Sequence, residues 1–330
     1  MKIAIIGAGG WGTALALVAA QNGHRVALWA RRKELIESLR KTRVNADYLP
    51  DVEIPETVDL THDLGEAVDG AEVVGLVVPS HGTREVCGRL KPLLKNRRVI
   101  VSNAKGIEIA TGMRMSEVVA DTLGDAPFAV MSGPSHAEEV SLGMPTALVA
   151  ASESQDVAAL VMEAFMNERF RVYSSEDVVG VEMGGALKNV IALAAGASDG
   201  IGFGDSAKAA LVTRGLAEMT RLGCAVGARR ETFAGLSGVG DVIVTCFSKH
   251  SRNRRVGERL GRGESLDSIL KSMRMVAEGV KTTRAAFALA HQLGVSSPIT
   301  KAVYAALYEG KSPQGMVKEL MTREAKAENE

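Results

Sequence analysis

Short, almost continuously apolar runs recur through the first half of the chain, separated by stretches whose apolar positions follow the helical period. Lys2–Ile6, Arg25–Trp29, Val73–Val78, Val99–Ser102, Phe128–Met131 and Ala147–Ala150 read as strands. Helical segments lie between them, among them Gly12–Gln21 and Gly82–Leu90. Strands that are apolar on both faces, alternating with helices, predict a parallel sheet covered on both sides. From about Asp177 the strand pattern stops. The segment Val178–Ala197 is rich in Ala and Gly, and Glu182 and Lys188 are its charged residues, so it predicts a helix buried on most faces. Ser206–Leu222, Arg254–Arg262, Leu266–Met273, Gly279–Leu293 and Pro298–Tyr308 continue in the helical period.

The expected class is therefore α/β. A Rossmann-type doubly wound sheet spans residues 1–180, and an all-helical domain spans residues 181–330. A chain of 330 residues is long enough for two domains. Charge adds an exclusion: 39 Lys and Arg balance 39 Asp and Glu, so no global field favours nucleic acid or an anionic membrane. Anion recognition has to be local. Cys87, Cys224 and Cys246 form no CxxC pair, which predicts a reduced, cytoplasmic protein. The six histidines show no metal-ligand spacing, and no metal is expected. No membrane span is expected, because Glu182 and Lys188 interrupt the longest apolar stretch.

Candidate chemistry begins at Gly7-x-Gly9-x-x-Gly12, which follows a strand and opens a helix. The first glycine allows the tight turn, the second lets backbone approach a pyrophosphate, and the third lets helix and strand pack closely. The second strand ends at Arg31 and Arg32 rather than at a carboxylate. Arginine suits a 2′-phosphate, so NADPH is the favoured cofactor and NADH the alternative. Lys188 has Gly184, Gly185, Ile191 and Ala192 one turn away. It either reaches water at the rim of the helix or meets a partner in a cleft, where desolvation would suit it to proton transfer. Ser251-Arg252-Asn253 leads into a helix, where Ser251 or Asn253 caps; Arg252 with Asn253 either grips a phosphate or belongs to a solvated basic turn, and a nucleic-acid patch, the further option, lacks interleaved aromatics for base stacking. Lys105 follows a strand at the position where open α/β sheets bind ligands. Ser135 and Glu138 have capping-box spacing, His136 between them reads as structural before acid or base, and Asp241 follows Gly238-Val239-Gly240 as an N-cap or as a partner of Lys188.

These segments together resemble the bacterial form of the NAD(P)-dependent glycerol-3-phosphate dehydrogenase family. GAGGWGTALA, NAKGIE, SGPSHAEEV, GGALKNVIALAAGASDGIGFGDSAKAAL, TRGLAEM, GVGDVIVTC and SRNRRVGE carry the resemblance, with the glutamate of VAEGV. It implies reversible reduction of dihydroxyacetone phosphate to sn-glycerol 3-phosphate, supplying glycerol phosphate for phospholipid synthesis. It implies Lys188 as general acid and base. Substrate contacts would come from Lys105, Gly133, Ser135, Lys188, Asn189, Asp241, Ser251, Arg252 and Asn253. The dinucleotide would meet Gly10, Trp11, Arg31, Lys105, Ala137, Arg252, Val276 and Glu278, beside Gly7, Gly9 and Gly12 of the loop; Arg32 joins them on charge alone. Many relatives carry Ser where this chain has Gly10. The competing readings are another two-domain hydroxy-acid or sugar-acid dehydrogenase and a non-catalytic nucleotide sensor. A homodimer is expected from the extent of the apolar helical half.

Overall fold

The computed structural model describes residues 1–94, 98–273, 277–325 and 327–328. Ten strands occur among them: β1 (Lys2–Ile6), β2 (Arg25–Trp29), β3 (Val44–Asn45), β4 (Leu49–Glu53), β5 (Val58–Thr61), β6 (Val73–Leu76), β7 (Val99–Ser102), β8 (Phe128–Ser132), β9 (Thr146–Ala151) and β10 (Phe170–Ser175). Eight form one sheet in the order β10-β9-β8-β7-β6-β1-β2-β5, while β3 and β4 pair separately. β1 lies between β2 and β6, with Ile6 opposite both Trp29 and Leu76. The chain winds one way from β1 to β2 and the other way from β6 onward. The crevice at the carboxyl ends of β1 and β6 is thus the topological switch point, where such sheets bind ligands.

The alternation along β1 shows why its sequence is apolar throughout. Ile3 and Ile5 enter one core with Leu15, Leu39 and Phe165. Ala4 and Ile6 enter the opposite core with Leu64, Leu90 and Val119. Both faces are covered, as predicted. The sheet departs from the expected parallel arrangement at one place: β9 runs antiparallel to β8. The helix between them, Ala137–Ser141, has five residues. At 1.5 Å per residue it covers about 7.5 Å, well short of the roughly 17 Å needed to return along a five-residue strand. The chain therefore comes back in the opposite sense.

After β10 the helix Val178–Ile201 becomes the axis of the second half. The Asp177 carboxylate accepts from Gly180 N at 2.9 Å at its start, and Gly202 at φ +92° ends it. It is the one helix among the described residues long and apolar enough to cross a bilayer, yet 89% of its apolar window is buried inside the protein. Its Glu182 is buried and accepts from Ser116 N and Ser116 Oγ at 2.7 Å and from Arg114 Nη1 at 2.8 Å, which ties the helical half to the sheet half. The helices Asp205–Ala225, Asp241–Phe247, Arg252–Gly261, Glu278–Gln292 and Pro298–Tyr308 pack around it.

Its contact with Arg252–Gly261 is backbone on backbone. A Cβ at Gly196 or Gly200 would overlap the carbonyls of Arg254 or Glu258, and one at Gly257 or Gly261 would overlap those of Leu193 or Ala197. Four glycines thus set the distance between two helices and hold the Ser251–Asn253 segment against the middle of the axis. Gly257→Ala should lower the free energy of unfolding by about 2–3 kcal/mol, because the added methyl has no room and the helices must separate. Urea denaturation reads this as a lower midpoint; an unshifted midpoint would show that the contact is looser than described.

Candidate active site

The glycine loop sits at the switch point. Gly7 has φ +129°, and a Cβ there would strike the carbonyl of Val77. A Cβ at Gly12 would strike the carbonyl of Gly7. A Cβ at Gly9 would meet nothing within 4 Å. The first and third glycines are therefore demanded by the protein itself, whereas the second faces open space. Gly9 also stands at the N-cap of the helix Gly10–Gln21, which has no side-chain cap and no acidic residue in its first turn. Its first N–H groups and the positive end of its dipole are left to an incoming anion. The place of a Cβ at Gly10 is 3.4 Å from the Ala137 methyl. Glu278 takes Ser80 N on Oε1 at 2.9 Å, while its Oε2 is enclosed with no partner among the described residues. Donors at a helix terminus, an open backbone face and an orphaned acceptor together fit a dinucleotide.

Trp11 joins this loop to the rest of the site. Its indole donates to Asn103 Oδ1 at 3.0 Å, two residues before Lys105. Lys105 Nζ then donates to the carbonyl of Gly133 at 3.0 Å and to Asp241 Oδ2 at 2.8 Å. The other carboxylate oxygen of Asp241 accepts a short bond from Lys188 Nζ. Lys188 donates as well to Thr245 Oγ1 at 2.7 Å. Asp241 is fully buried and Lys188 is 7% exposed. Of the sequence alternatives for Lys188, the structure shows the partnered one.

One carboxylate between two ammoniums leaves a surplus positive charge in a dry place. Burial pushes the Lys188 ammonium down to about 7; Asp241 opposes that shift and Lys105 adds to it. Burial alone would raise the Asp241 carboxyl, but Lys105 and Lys188 outweigh it and hold it below the usual carboxylate range. Thr245 was not singled out in the sequence. It lies four residues after Asp241 on the same helix, and its hydroxyl donates to the Asp241 carbonyl at 2.6 Å. That i, i+4 spacing is the signal that would have found it.

The two asparagines form a bridge. Asn189 donates to the carbonyls of Lys105 at 3.0 Å and Gly185 at 3.3 Å, and accepts from Asn253 Nδ2 at 2.8 Å. Asn253 Oδ1 in turn accepts from Gly279 N at 3.0 Å. Both amides therefore hold elements together, beyond the substrate contacts expected of them. Ser251 is the N-cap of Arg252–Gly261 and accepts from Arg254 N at 3.2 Å, while Arg254 pairs with Asp199 at 2.7 Å. Arg252 stays exposed at the first position of that helix, close enough to Glu278 to act on its charge.

Ser135 and Glu138 do not form the expected capping box. The N-cap of Ala137–Ser141 is His136, one residue later than that spacing requires, and the Ser135 hydroxyl donates to the Gly133 carbonyl at 3.1 Å. The His136 ring lies 5.6 Å from that of His250, and burial followed by the Lys188 charge lowers its imidazole below the usual value. Arg31 and Arg32 are exposed beyond β2, with Arg32 3.6 Å from Asp47. Val276 lies outside the described residues.

Two sequence profiles match the chain. That of the NAD-dependent glycerol-3-phosphate dehydrogenase N-terminus covers residues 2–158, and that of the C-terminus covers residues 177–318. A glycerol-3-phosphate dehydrogenase (NAD(P)+) of Geobacillus thermodenitrificans is 53% identical over 330 residues, covering 99% of this chain and 96% of that one. One of a Thermoanaerobacter species is 52% identical, covering 99% of each. The crystal structure of the Coxiella burnetii glycerol-3-phosphate dehydrogenase superposes with a TM-score of 0.95 at 41% identity, over 98% of this chain and 99% of that one.

The open space at Gly9 makes a separable test. Gly9→Val should cost folding no more than about 1 kcal/mol, the N-cap preference for Gly over Val, since a Cβ there meets no protein atom within 4 Å, while dinucleotide binding followed by tryptophan fluorescence is lost. Binding at the parental affinity would show that the cofactor does not lie against this loop.

Proposed function

The chain belongs to the NAD-dependent glycerol-3-phosphate dehydrogenase family, and from that premise we propose that Lys188 is its general acid and base, brought to that task by burial and oriented by the carboxylate of Asp241. The protein is an NAD(P)-dependent oxidoreductase that interconverts dihydroxyacetone phosphate and sn-glycerol 3-phosphate. The observation that carries the role of Lys188 is the sharing of Asp241 with Lys105.

A nicotinamide dinucleotide held at the glycine loop would supply the hydride to the carbonyl carbon in reduction and take it from the carbinol carbon in oxidation. The chain's residues manage the charge and the proton. As the carbonyl is reduced, negative charge develops on its oxygen, and two lysines in a low-dielectric cleft stabilise that charge more than the neutral ketone. Lys188 Nζ has three donors, of which Asp241 and Thr245 occupy two. The third is left for the substrate oxygen, which takes the proton; in oxidation the neutral amine takes it back from the hydroxyl. An ammonium near 7 gives up and regains a proton at neutral pH with little bias either way. Asp241 and Thr245 orient Lys188, and the Asn189–Asn253 bridge keeps the Lys105 backbone and the Ser251–Arg252 segment in one frame.

Arg252 is assigned to the substrate phosphate, remote from the reacting carbon, where binding energy orients the carbonyl. Ser251, Ser135 and Gly133 are assigned to the substrate as well. Gly7, Gly9, Gly10, Trp11, Gly12, Arg31, Arg32, Ala137 and Glu278 are assigned to the dinucleotide. The division into residues 1–180 for the dinucleotide and 181–330 for substrate belongs to the same reading. So do a homodimer, a cytoplasmic location and the supply of glycerol phosphate for phospholipids.

The pH profile tests the role of Lys188. For reduction of dihydroxyacetone phosphate, kcat/KM should be level below about 7 and fall tenfold per unit above it, because the protonated amine is required. For oxidation of sn-glycerol 3-phosphate it should rise to about 7 and then level off. In Lys188→Ala that limb should vanish and turnover drop by about 10²–10⁴-fold, with dinucleotide affinity retained. A variant that keeps the parental rate and profile refutes the assignment.

A further inference from the structure

Charge reasoning from the sequence puts the adenosine 2′-phosphate at the end of β2, on Arg31 and Arg32. The structure brings a further cation to the same crevice, from the helical half. The bond from Ser80 N to Glu278 Oε1, 2.9 Å, fastens the first turn of the helix Glu278–Gln292 to the loop that follows β6. The seat is tight: a Cβ at Gly106 would come within 2.8 Å of Glu278 Oε2. Lys281 lies one turn along that helix and is half-buried, and His81 directly follows the anchored Ser80.

β6 and β2 are the two neighbours of β1. At about 4.8 Å between strands, the ends of β2 and β6 stand roughly 10 Å apart, within reach of an arginine on one side and a lysine on the other. The His81 imidazole reports that closeness. Partial burial lowers it, and then Lys281 and Arg31 each lower it further. Three basic groups thus come to the mouth of the switch-point crevice, His81 and Lys281 on elements joined by the Ser80–Glu278 bond and Arg31 just beyond the end of β2, near enough for both cations to act on the imidazole. Glu278, the carboxylate nearest to Lys281 on that helix, already takes Ser80 N, and the Arg32 guanidinium stands 3.6 Å from Asp47. Cations held together at a surface repel one another, and an anion of two charges that reaches them all converts that repulsion into binding.

We propose that Lys281 is a specificity-determining residue which, with Arg31 and His81, holds the 2′-phosphate of NADPH, so that discrimination against NADH depends on both halves of the chain. This rests on the reading of the protein as a dinucleotide-dependent dehydrogenase. It adds to that reading a contact outside the β2 segment, made only when the helix Glu278–Gln292 is seated on the loop after β6.

The test compares adenosine 2′,5′-bisphosphate with adenosine 5′-monophosphate by calorimetry on the full chain, for the parent, Lys281→Gln and Lys281→Arg. The parent should prefer the bisphosphate. Lys281→Gln should lose about tenfold in bisphosphate affinity, equivalent to about 1.4 kcal/mol, with the monophosphate affinity kept; Lys281→Arg should restore most of the loss. In the parent, the His81 imidazole followed by NMR should titrate at higher pH with the bisphosphate bound and not with the monophosphate. Equal loss for both nucleotides, no loss for either, or an unmoved His81 overturns the proposal. Oxidation of NADPH by dihydroxyacetone phosphate is measured on the parent alongside. Its absence would sink the dehydrogenase reading, and the calorimetry would still judge Lys281.

Discussion

A carboxylate taken out of water has to be neutralised by its partners, and Asp241 meets that demand twice over. Lys105 reaches it from the loop after β7 and Lys188 from the axis of the helical half. The Lys105 bond joins the two halves of the chain at the proposed site of chemistry. It also leaves one positive charge too many, and the more deeply buried lysine bears the consequence. The rest of the site follows from keeping this arrangement dry and rigid. Thr245 fixes Lys188 from the Asp241 helix, Trp11 fixes Asn103 beside Lys105, and the Asn189–Asn253 bridge fixes the backbone behind it.

Glycine serves this site in two different ways. In the loop at the switch point, Gly7 and Gly12 let strand and helix meet, whereas Gly9 keeps a face open for a ligand. In the helical half, Gly196, Gly200, Gly257 and Gly261 bring two helix backbones into contact, and no ligand is involved. Close packing there is what brings Asn253 to within a hydrogen bond of Asn189, with Ser251 and Arg252 on the same helix start. A motif search weights the first set; the second is equally necessary for holding the start of the Arg252–Gly261 helix against the helix that carries Lys188.

How far the sequence could be read depended on whether each signal was local. Interior strands such as β1, β6 and β7 are apolar on both faces and stood out. The edge strands β5 and β10 did not, because Asp59, Arg171 and Tyr173 alternate into solvent and break the run. The central helix was legible from its sparse charge, and each of its charges is paired: Glu182 meets Arg114 and Ser116, Lys188 meets Asp241, and Asp199 meets Lys208 and Arg254. Of the partners far apart along the chain, the sequence offered Asp241 for Lys188 but not Lys105 for Asp241 or Asn253 for Asn189. The capping box at Ser135 failed because the backbone turns one residue later, at His136. Asn189 and Asn253 were read as ligands for substrate, and the structure shows each amide also bonded to protein on both ends. Lys281 carries no local signal at all, since its neighbours in the crevice come from the other half of the chain.

The central claim is that burial, opposed only in part by a carboxylate shared with Lys105, leaves Lys188 ready to lose its proton at neutral pH. Its most direct test is the titration of the Lys188 side chain by NMR on protein labelled at the lysine Cε, with the resonance assigned by its disappearance in Lys188→Met. The account predicts a midpoint at about 7 in the parent, and a lower one in Asp241→Asn, because the carboxylate that favours the ammonium is gone. A Lys188 that titrates near the ordinary lysine value of about 10.4, in the parent and in the variant alike, would contradict it.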